Sequence, residues 1–396
     1  MEEEEWIEYY RRRRELGVYP EWIPSSPEEV LPPEVEELPE GLPSRKIVEF
    51  LRQLIICNKL DVLLVRTLKG SFNLWKLLEL LRTLSFDSRV KRSIGIAKSL
   101  TSSFSVATGA GKNVIITNNV SEDLTDYSIL IELTSENFDD WDKVSEDGSD
   151  IYFTDLSGNP LYYWIEEFDK AGQHALIWVK IPLIPANESV TIKLMYGQTN
   201  PYTDYRSGDN TFLFFDDFLS DLSKWSGDTT YFSISNSILT TTASERAIYS
   251  KVDVTGDIAI ESKVKINSGG RAHIAGRLQP PYGFRDLCYI LNFRYPNSDI
   301  RLYRGGSPVI ILDTAPYNHS EVWRRARLFL IGNGADNIQK ADFDGSKVLQ
   351  GSDTSIGNTG RVRLGSNVLA TGGQVWWDWI FARKYVEPEP TVSILS

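Results

Sequence analysis

From residue 88 onward the chain alternates apolar and polar residues with a period of two. Val190, Ile192, Leu194 and Tyr196 alternate with Thr191, Lys193 and Met195. Ile177, Val179 and Ile181 repeat the pattern, and Ile258, Ile260, Val264 and Ile266 stand against Glu261, Lys263 and Lys265. Residues at i and i+2 share one face of a strand, so this alternation describes half-buried strands of antiparallel sheets. Asp344-Gly345, between Ala341-Asp342-Phe343 and Lys347-Val348-Leu349, predicts a two-residue hairpin. Gly, Asn and Ser turns recur between the runs, and the economical reading is two β-sandwiches in series. Their boundary is expected at residues 205–210, where Arg-Ser-Gly-Asp-Asn follows the last strand of the first.

Before residue 88 the period is helical. Leu74, Leu77, Leu78, Leu81 and Leu84 form one stripe, with Lys76, Glu79 and Arg82 on other faces. An earlier helix is expected over residues 44–58, and Gly70-Ser71 makes a break before the leucine-rich one. Such helices expose more apolar surface than they bury alone. Two readings stay open: packing within the chain, or docking and oligomerisation through Leu74, Leu77, Leu78 and Leu81. Residues 1–44 are rich in Pro and Glu and cannot build a core. They read either as a disordered tail or as an arm that orders on a partner, with Trp6, Tyr9, Tyr10, Tyr19 and Trp22 as anchors. The expected organisation is an extended arm (1–44), a helical docking region and linker (45–100), a β-sandwich (101–211) and a second sandwich (212–396). The fold class is mainly β, preceded by an α-helical N-terminal region.

Charge narrows the partners. The 396 residues carry a net charge of -12, a poor match for a phosphate backbone, so nucleic acid is not expected. The two cysteines, Cys57 and Cys288, fall in different predicted regions, which argues for reduced thiols rather than a disulfide framework. The opening Met-Glu-Glu-Glu-Glu-Trp has neither the basic start nor the apolar core of a secretory signal. The most apolar window, residues 47–68, is interrupted by Glu49, Arg52, Lys59, Asp61 and Arg66, too many charges for a membrane span. Synthesis in the cytosol without a Sec-type signal and without membrane insertion is the expectation.

Two motif sets carry a resemblance. The first comprises Ile116-Thr117-Asn118-Asn119, Leu124-Thr125-Asp126-Tyr127, Asp-Gly-Ser-Asp-Ile-Tyr-Phe-Thr-Asp at 147–155, Tyr163-Trp164-Ile165-Glu166, Ile177-Trp178-Val179-Lys180-Ile181-Pro182, Ile184-Pro185-Ala186 and Tyr196-Gly197. Through these, residues 104–212 resemble the domain of unknown function 2341 family, which implies a β-sandwich without known catalysis, of a kind that precedes lectin-like sandwiches in surface proteins. The second set is Phe215-Asp216-Asp217-Phe218 with Leu222 and Trp225, together with Trp377-Asp378-Trp379-Ile380-Phe381-Ala382-Arg383-Lys384-Tyr385. Through these, residues 212–396 resemble a concanavalin A-like or laminin G-like jelly roll. That fold implies pairing of its first and last strands.

Candidate chemistry is thin for catalysis and better for binding. Jelly-roll glucanases carry Glu-x-Asp-x-x-Glu on one strand, which puts paired carboxylates on one face. No such strand is present here; Glu261 stands among lysines and Glu321 precedes Val-Trp-Arg-Arg. His174, His273 and His319 are far apart, without a Gly-x-Ser-x-Gly elbow or zinc-type Cys/His spacing. Asp216, Asp217 and Asp221 form the oxygen-rich cluster that would suit calcium, the one cofactor in view. Sugars stack on aromatic faces and take planar hydrogen bonds from Arg, Asp and Asn. Arg277, Tyr282, Arg285, Asp286, Arg294 and Tyr303 are candidate ligand-facing residues on that ground. Trp376 and Asp378 join them, because alternation puts Trp377 and Trp379 on one face and Trp376 on the other.

The leading expectation is a non-enzymatic structural or adhesive protein, with a lectin-like C-terminal domain that attaches to a host-surface glycan or protein. Outward-type modules without a secretory signal suit a virion component such as a tail fibre, baseplate spike or capsid decoration, assembled as a homo-oligomer with other virion or appendage proteins through residues 1–100. Two alternatives stay open: a polysaccharide-degrading enzyme with an unrecognised site, and a cell-surface adhesin exported by a non-Sec route.

Overall fold

The computed structural model describes residues 110–395, except 296–298, 318–320, 333–337 and 344–346. The expected arm and helical region, with Trp6, Tyr9, Tyr10, Trp22, Leu74, Leu77, Leu78 and Leu81, lie outside the described residues. Within them the protein is mainly β, built of antiparallel sheets.

The first sandwich packs a three-stranded sheet on a four-stranded one. The three-stranded sheet runs β2 (Leu124–Thr134), β5 (His174–Ile184), β4 (Tyr163–Asp169). The other contains β1 (Ala110–Thr117), β6 (Ser189–Tyr196) and β3 (Tyr152–Asp155). Alternation explains the core: Ile129, Ile131 and Leu133 of β2 and Ile177, Val179 and Ile181 of β5 meet Val114, Ile116, Ile192 and Leu194. The fourth strand of that sheet is β22 (Thr391–Ile394), which pairs with β1, Val114 opposite Ile394. The sequence reading assigns everything after 212 to the second module. The chain instead returns to the first, and its final strand completes that sheet.

A short helix, α1 (Gly208–Thr211), capped by Ser207, leads into the second sandwich. Gly208 is a glycine for space: a Cβ there would come within 2.3 Å of the Phe215 ring. The second sandwich stacks a seven-stranded sheet on an eight-stranded one. The eight-stranded sheet contains β12 (Ile258–Ile266), β17 (Arg324–Ile331), β18 (Ile338–Phe343), β19 (Lys347–Ser352) and β21 (Val375–Lys384). β7 (Phe214–Asp216) pairs with β21, Phe215 opposite Phe381, so the two terminal motifs meet as the jelly-roll likeness implies. β18 and β19 form the expected hairpin, but Phe343 pairs with Lys347, so three residues rather than two connect them.

The outer face of the eight-stranded sheet is partly covered by the first sandwich. Trp178, Phe212, Phe215, Trp379 and Phe381 form a separate apolar cluster there, with Leu130 and Trp164 packed on it. Phe212 stacks on Phe381 with ring centroids 4.1 Å apart. Glu261 is not isolated among lysines, as its sequence neighbours suggest; it is buried here between Arg325 and Arg383. Trp377 and Trp379 do not share a face. The β12–β21 register slips between Lys263/Trp379 and Val264/Trp377, a bulge at Asp378. Trp377 therefore enters the sandwich core and Trp379 the inter-sandwich cluster. Among the described residues, no helix is long and apolar enough to cross a membrane.

Candidate functional site

The seven-stranded sheet carries the densest polar constellation. Its central strands are β13 (Arg271–Leu278), β14 (Tyr289–Arg294) and β15 (Asp299–Arg304), flanked by β20 (Thr359–Ser366) and, at the edge, β16 (Ile310–Pro316). One face is core: Ala272, Ile274, Leu291, Phe293, Ile300 and Leu302 point inward. The alternate residues therefore point outward, and the register aligns them in rows. Arg271 stands opposite Arg294, which stands opposite Asp299. His273 faces Asn292, which faces Arg301; Ala275 faces Ile290, which faces Tyr303.

The loop 279–287 folds over one half of this face. Arg363 of β20, fully buried, holds it by donating through Nη1 to Phe284 O at 2.8 Å. Phe284 in turn stacks on the His273 ring at 5.4 Å, and Tyr303 meets that ring edge-on at 6.4 Å. Arg363 Nη2 lies 3.3 Å from His273 Nδ1. A guanidinium only donates, so Nδ1 accepts and the imidazole carries its proton on Nε2. Burial, then Arg363, Arg271 and Arg294, push the His273 pKa far below the usual imidazole range, so the ring is neutral and offers a donor. Gly365, opposite His273, preserves this contact: a Cβ would lie 3.2 Å from Nδ1.

The half beyond this loop is cationic. Arg294 Nη1 and Arg301 Nε donate to the same oxygen of Asp299, at 3.2 and 3.0 Å. Burial, then the neighbouring Arg301, lowers the Arg294 pKa, and burial, then Arg294, lowers that of Arg271. Tyr303 is pushed up to about 12, chiefly by burial. The buried Asn292 brings an amide to the centre of the rows.

Of the expected ligand-facing residues, Arg294 and Tyr303 lie together on this face. Tyr282 and Asp286 sit in the covering loop, Tyr282 beneath the Arg361 guanidinium at 4.0 Å. Arg285 is also in the loop, 77% exposed and paired with Glu245. Arg277 is no ligand residue. A register shift after Ala275 and a φ of 54° turn it inward, where Nη2 donates to Leu330 O at 3.0 Å. Trp376 and Asp378 belong to the other sheet. Lys265 lies 4.5 Å from the Trp376 ring and 5.2 Å from that of Trp323, while Lys263 pairs with Asp378 at 3.0 Å.

The aspartates expected to suit calcium are engaged otherwise. Asp216 is buried and accepts from Trp225 Nε1 at 2.6 Å and from Phe218 N at 2.8 Å. Burial raises the pKa of both Asp216 and Asp217, while exposed Asp221 caps its own turn at Ser223 N. Among the described residues no group of three His, Cys, Asp or Glu is placed to hold a metal ion.

Sequence reasoning missed His273, Asn292, Arg271, Arg301, Asp299, Phe284 and Arg363. The signal was there: Arg271-x-His273, Asn292-x-Arg294 and Asp299-x-Arg301-x-Tyr303 put polar side chains at every second position of otherwise apolar strands.

No curated protein matches the chain. Among solved structures it is similar to the carbohydrate binding module CBM66 from Bacillus subtilis (13% identity, 45% of this chain and 99% of that one, TM-score 0.32). It is also similar to a protein of unknown function with a galectin-like fold from Bacillus subtilis (13%, 44% and 97%, TM-score 0.34). A third is the endo-beta-1,3-glucanase from Pyrococcus furiosus (12%, 44% and 94%, TM-score 0.35). Residues 147–228, from the Asp-Gly-Ser-Asp motif through Phe214 to Trp225, match the family described as Domain of unknown function (DUF2341).

Proposed function

We propose that the second sandwich is a non-catalytic saccharide-binding module and that the outer face of its seven-stranded sheet holds the sugar. One observation carries this reading: a neutral imidazole, an amide and guanidinium groups converge from adjacent strands beside the rings of Phe284 and Tyr303. Sugars need that mixture of planar hydrogen-bonding groups and aromatic edges on a rigid platform. The sheet positions the groups through main-chain register, so little ordering is left for the ligand to induce.

Binding is favoured over hydrolysis by the carboxylate inventory. Of the outward positions on β13, β14 and β15, Asp299 is the one acid, and it is held by Arg294 and Arg301. Retaining or inverting hydrolysis asks for two carboxyl groups across the scissile bond. The wider setting we propose is attachment: a recognition face borne by a virion or appendage protein. A glycan array with the full chain tests the module. Binding that falls in Asn292→Ala, with an unchanged thermal melt, supports it; array binding untouched by that change removes the face from the account. A reducing-sugar assay over a polysaccharide panel tests the hydrolase alternative, which product release would favour.

A further inference from the structure

Asn292 is only half engaged. Leu291 and Phe293 of β14 point into the sandwich core, so Asn292 between them points outward. Its amide nitrogen donates to the Tyr303 hydroxyl, which fixes the orientation of the amide. Its Oδ1 is buried, in a side chain only 7% exposed, and accepts no hydrogen bond among the described residues. A desolvated acceptor without a donor is costly and rare in folded proteins. His273, 3% exposed, stands directly opposite on β13. Arg363 holds its Nδ1 as an acceptor, so the ring presents its proton on Nε2. Opposed residues of an antiparallel pair have Cβ atoms about 4.5–5.5 Å apart on one face. A fixed acceptor and a fixed donor therefore stand side by side. One oxygen that accepts from His273 and donates to Asn292 answers both, and a hydroxyl does this through a single atom. Ether, carboxylate and sulfate-ester oxygens only accept, so they leave Asn292 Oδ1 unanswered. Phe284, Tyr303 and Arg301 adjoin the pair and are each partly exposed, so it lies one side chain below the surface.

Resting on the saccharide reading above, we infer that Asn292 and His273 set the specificity of this face, which takes a glycan through one free, unsubstituted hydroxyl held as donor and acceptor at once. That hydroxyl accepts from His273 Nε2, donates to Asn292 Oδ1 and enters past the ring of Phe284. Removing or substituting it takes away the donor on which Asn292 depends.

The test is calorimetric titration of the full chain with the methyl glycosides of cellobiose, laminaribiose and galactobiose, each accompanied by its set of monodeoxy derivatives. Each probe is run on the parent protein, on Asn292→Leu, which deletes the acceptor, and on Asn292→Asp, which keeps it. For a disaccharide that binds the parent, loss of one particular hydroxyl is expected to weaken binding about tenfold. Asn292→Leu should weaken the intact sugar by about the same factor and leave that one deoxy derivative unmoved, so that the two bind alike. Asn292→Asp should preserve the difference between them. Deoxy derivatives that all bind the parent as tightly as the intact sugar overturn the inference while leaving the saccharide reading standing; a fixed water rather than the sugar then answers Asn292. A deoxy penalty that survives Asn292→Leu, or disappears in Asn292→Asp, overturns it as well. So does an Asn292→Leu protein that loses the intact and deoxy sugars alike, because the side chain then acts on the fold and not on the hydroxyl. Silence from every probe counts against both readings.

Discussion

Arg325 of the second sandwich donates through Nη1 to Glu166 of the first at 2.8 Å, while its Nη2 holds Glu261 at 2.6 Å. One guanidinium thus joins carboxylates from both sandwiches. Arg383 extends the network, bonding Glu261 at 2.8 Å and Glu389 at 2.8 Å. Glu261 and Arg383 are 1% and 2% exposed, so these charges are satisfied by one another rather than by water. The same patch carries the aromatic cluster, on the eight-stranded sheet that lies opposite the candidate site's sheet.

Replacing Arg325 by Met keeps the volume of its stem and deletes the charge. It leaves Glu261 with Arg383 alone and Glu166 with Trp178 Nε1, its donor at 2.8 Å. Breaking a buried pair from one side costs about 3–5 kcal/mol. Calorimetry is expected to show a lower transition, with much of the loss recovered in the triple variant Arg325→Met, Glu166→Gln, Glu261→Gln.

The two carboxylates respond to pH in opposite senses. Burial pushes Glu166 up from 4.5 to about 7, against the pull of Arg325 and Trp178. Burial also opposes ionisation of Glu261, but Arg325, Arg383 and Arg327 together outweigh it and hold that group at about 2. A raised carboxyl pKa means the folded state binds the proton more tightly. The contribution of Glu166 is therefore full below pH 4.5 and lost as pH rises through about 7. That of Glu261 is full above 4.5 and lost as pH falls toward 2. Denaturation midpoints from pH 5 to 8 should fall for the parent protein relative to Glu166→Gln. A gap that does not widen across this window would show that Glu166 is ionised throughout.

The stack of Phe212 on Phe381 is the tightest ring contact between α1's exit and β21. Phe381→Ala opens a cavity in the inter-sandwich cluster and should cost about 3–5 kcal/mol. Limited proteolysis is the sensitive readout, with faster cleavage expected near residues 206–213.

Truncation after Val386 removes β22 and with it Glu389, whose carboxylate holds Arg383 and whose carbonyl accepts from Asn119 at 2.8 Å. Hydrogen exchange should quicken at the β1 amides that face Thr391–Ile394. Unchanged exchange there would mean the final strand adds nothing to the first sandwich.

Arg285→Ala should leave ligand binding unchanged, because its guanidinium is 77% exposed and already paired with Glu245. An exposed pair of this kind contributes at most about 1 kcal/mol to stability. Loss of binding in this variant would place the ligand on the covering loop.

Period-two alternation was enough to find the strands that bury one face, such as β5 and β12, and the jelly-roll resemblance to anticipate that the terminal motifs pair. It could not find what depends on a second surface. Trp178 sits at an outward position, where local pattern predicts solvent, and is buried because the other sandwich arrives there. Glu261 looks solvated beside its lysines for the same reason. The bulge at Asp378 reverses the face of Trp379 relative to Trp377, and no local signal marks it. β22 is four residues long, and nothing in those residues says which sheet it completes. In the site, Arg294 and Tyr303 stood out as chemistry, whereas His273 and Asn292 gained meaning only when register set them side by side.

The central claim is that the ligand lies across β13, β14 and β15. A crystal structure of the full chain soaked with an oligosaccharide selected on the glycan array tests it most directly. The account predicts the sugar within hydrogen-bonding reach of Asn292, Arg294 and Arg301, with Phe284 and Tyr303 alongside. Density seated instead on Trp323 and Trp376 of the opposite sheet, with these arginines untouched, would contradict it.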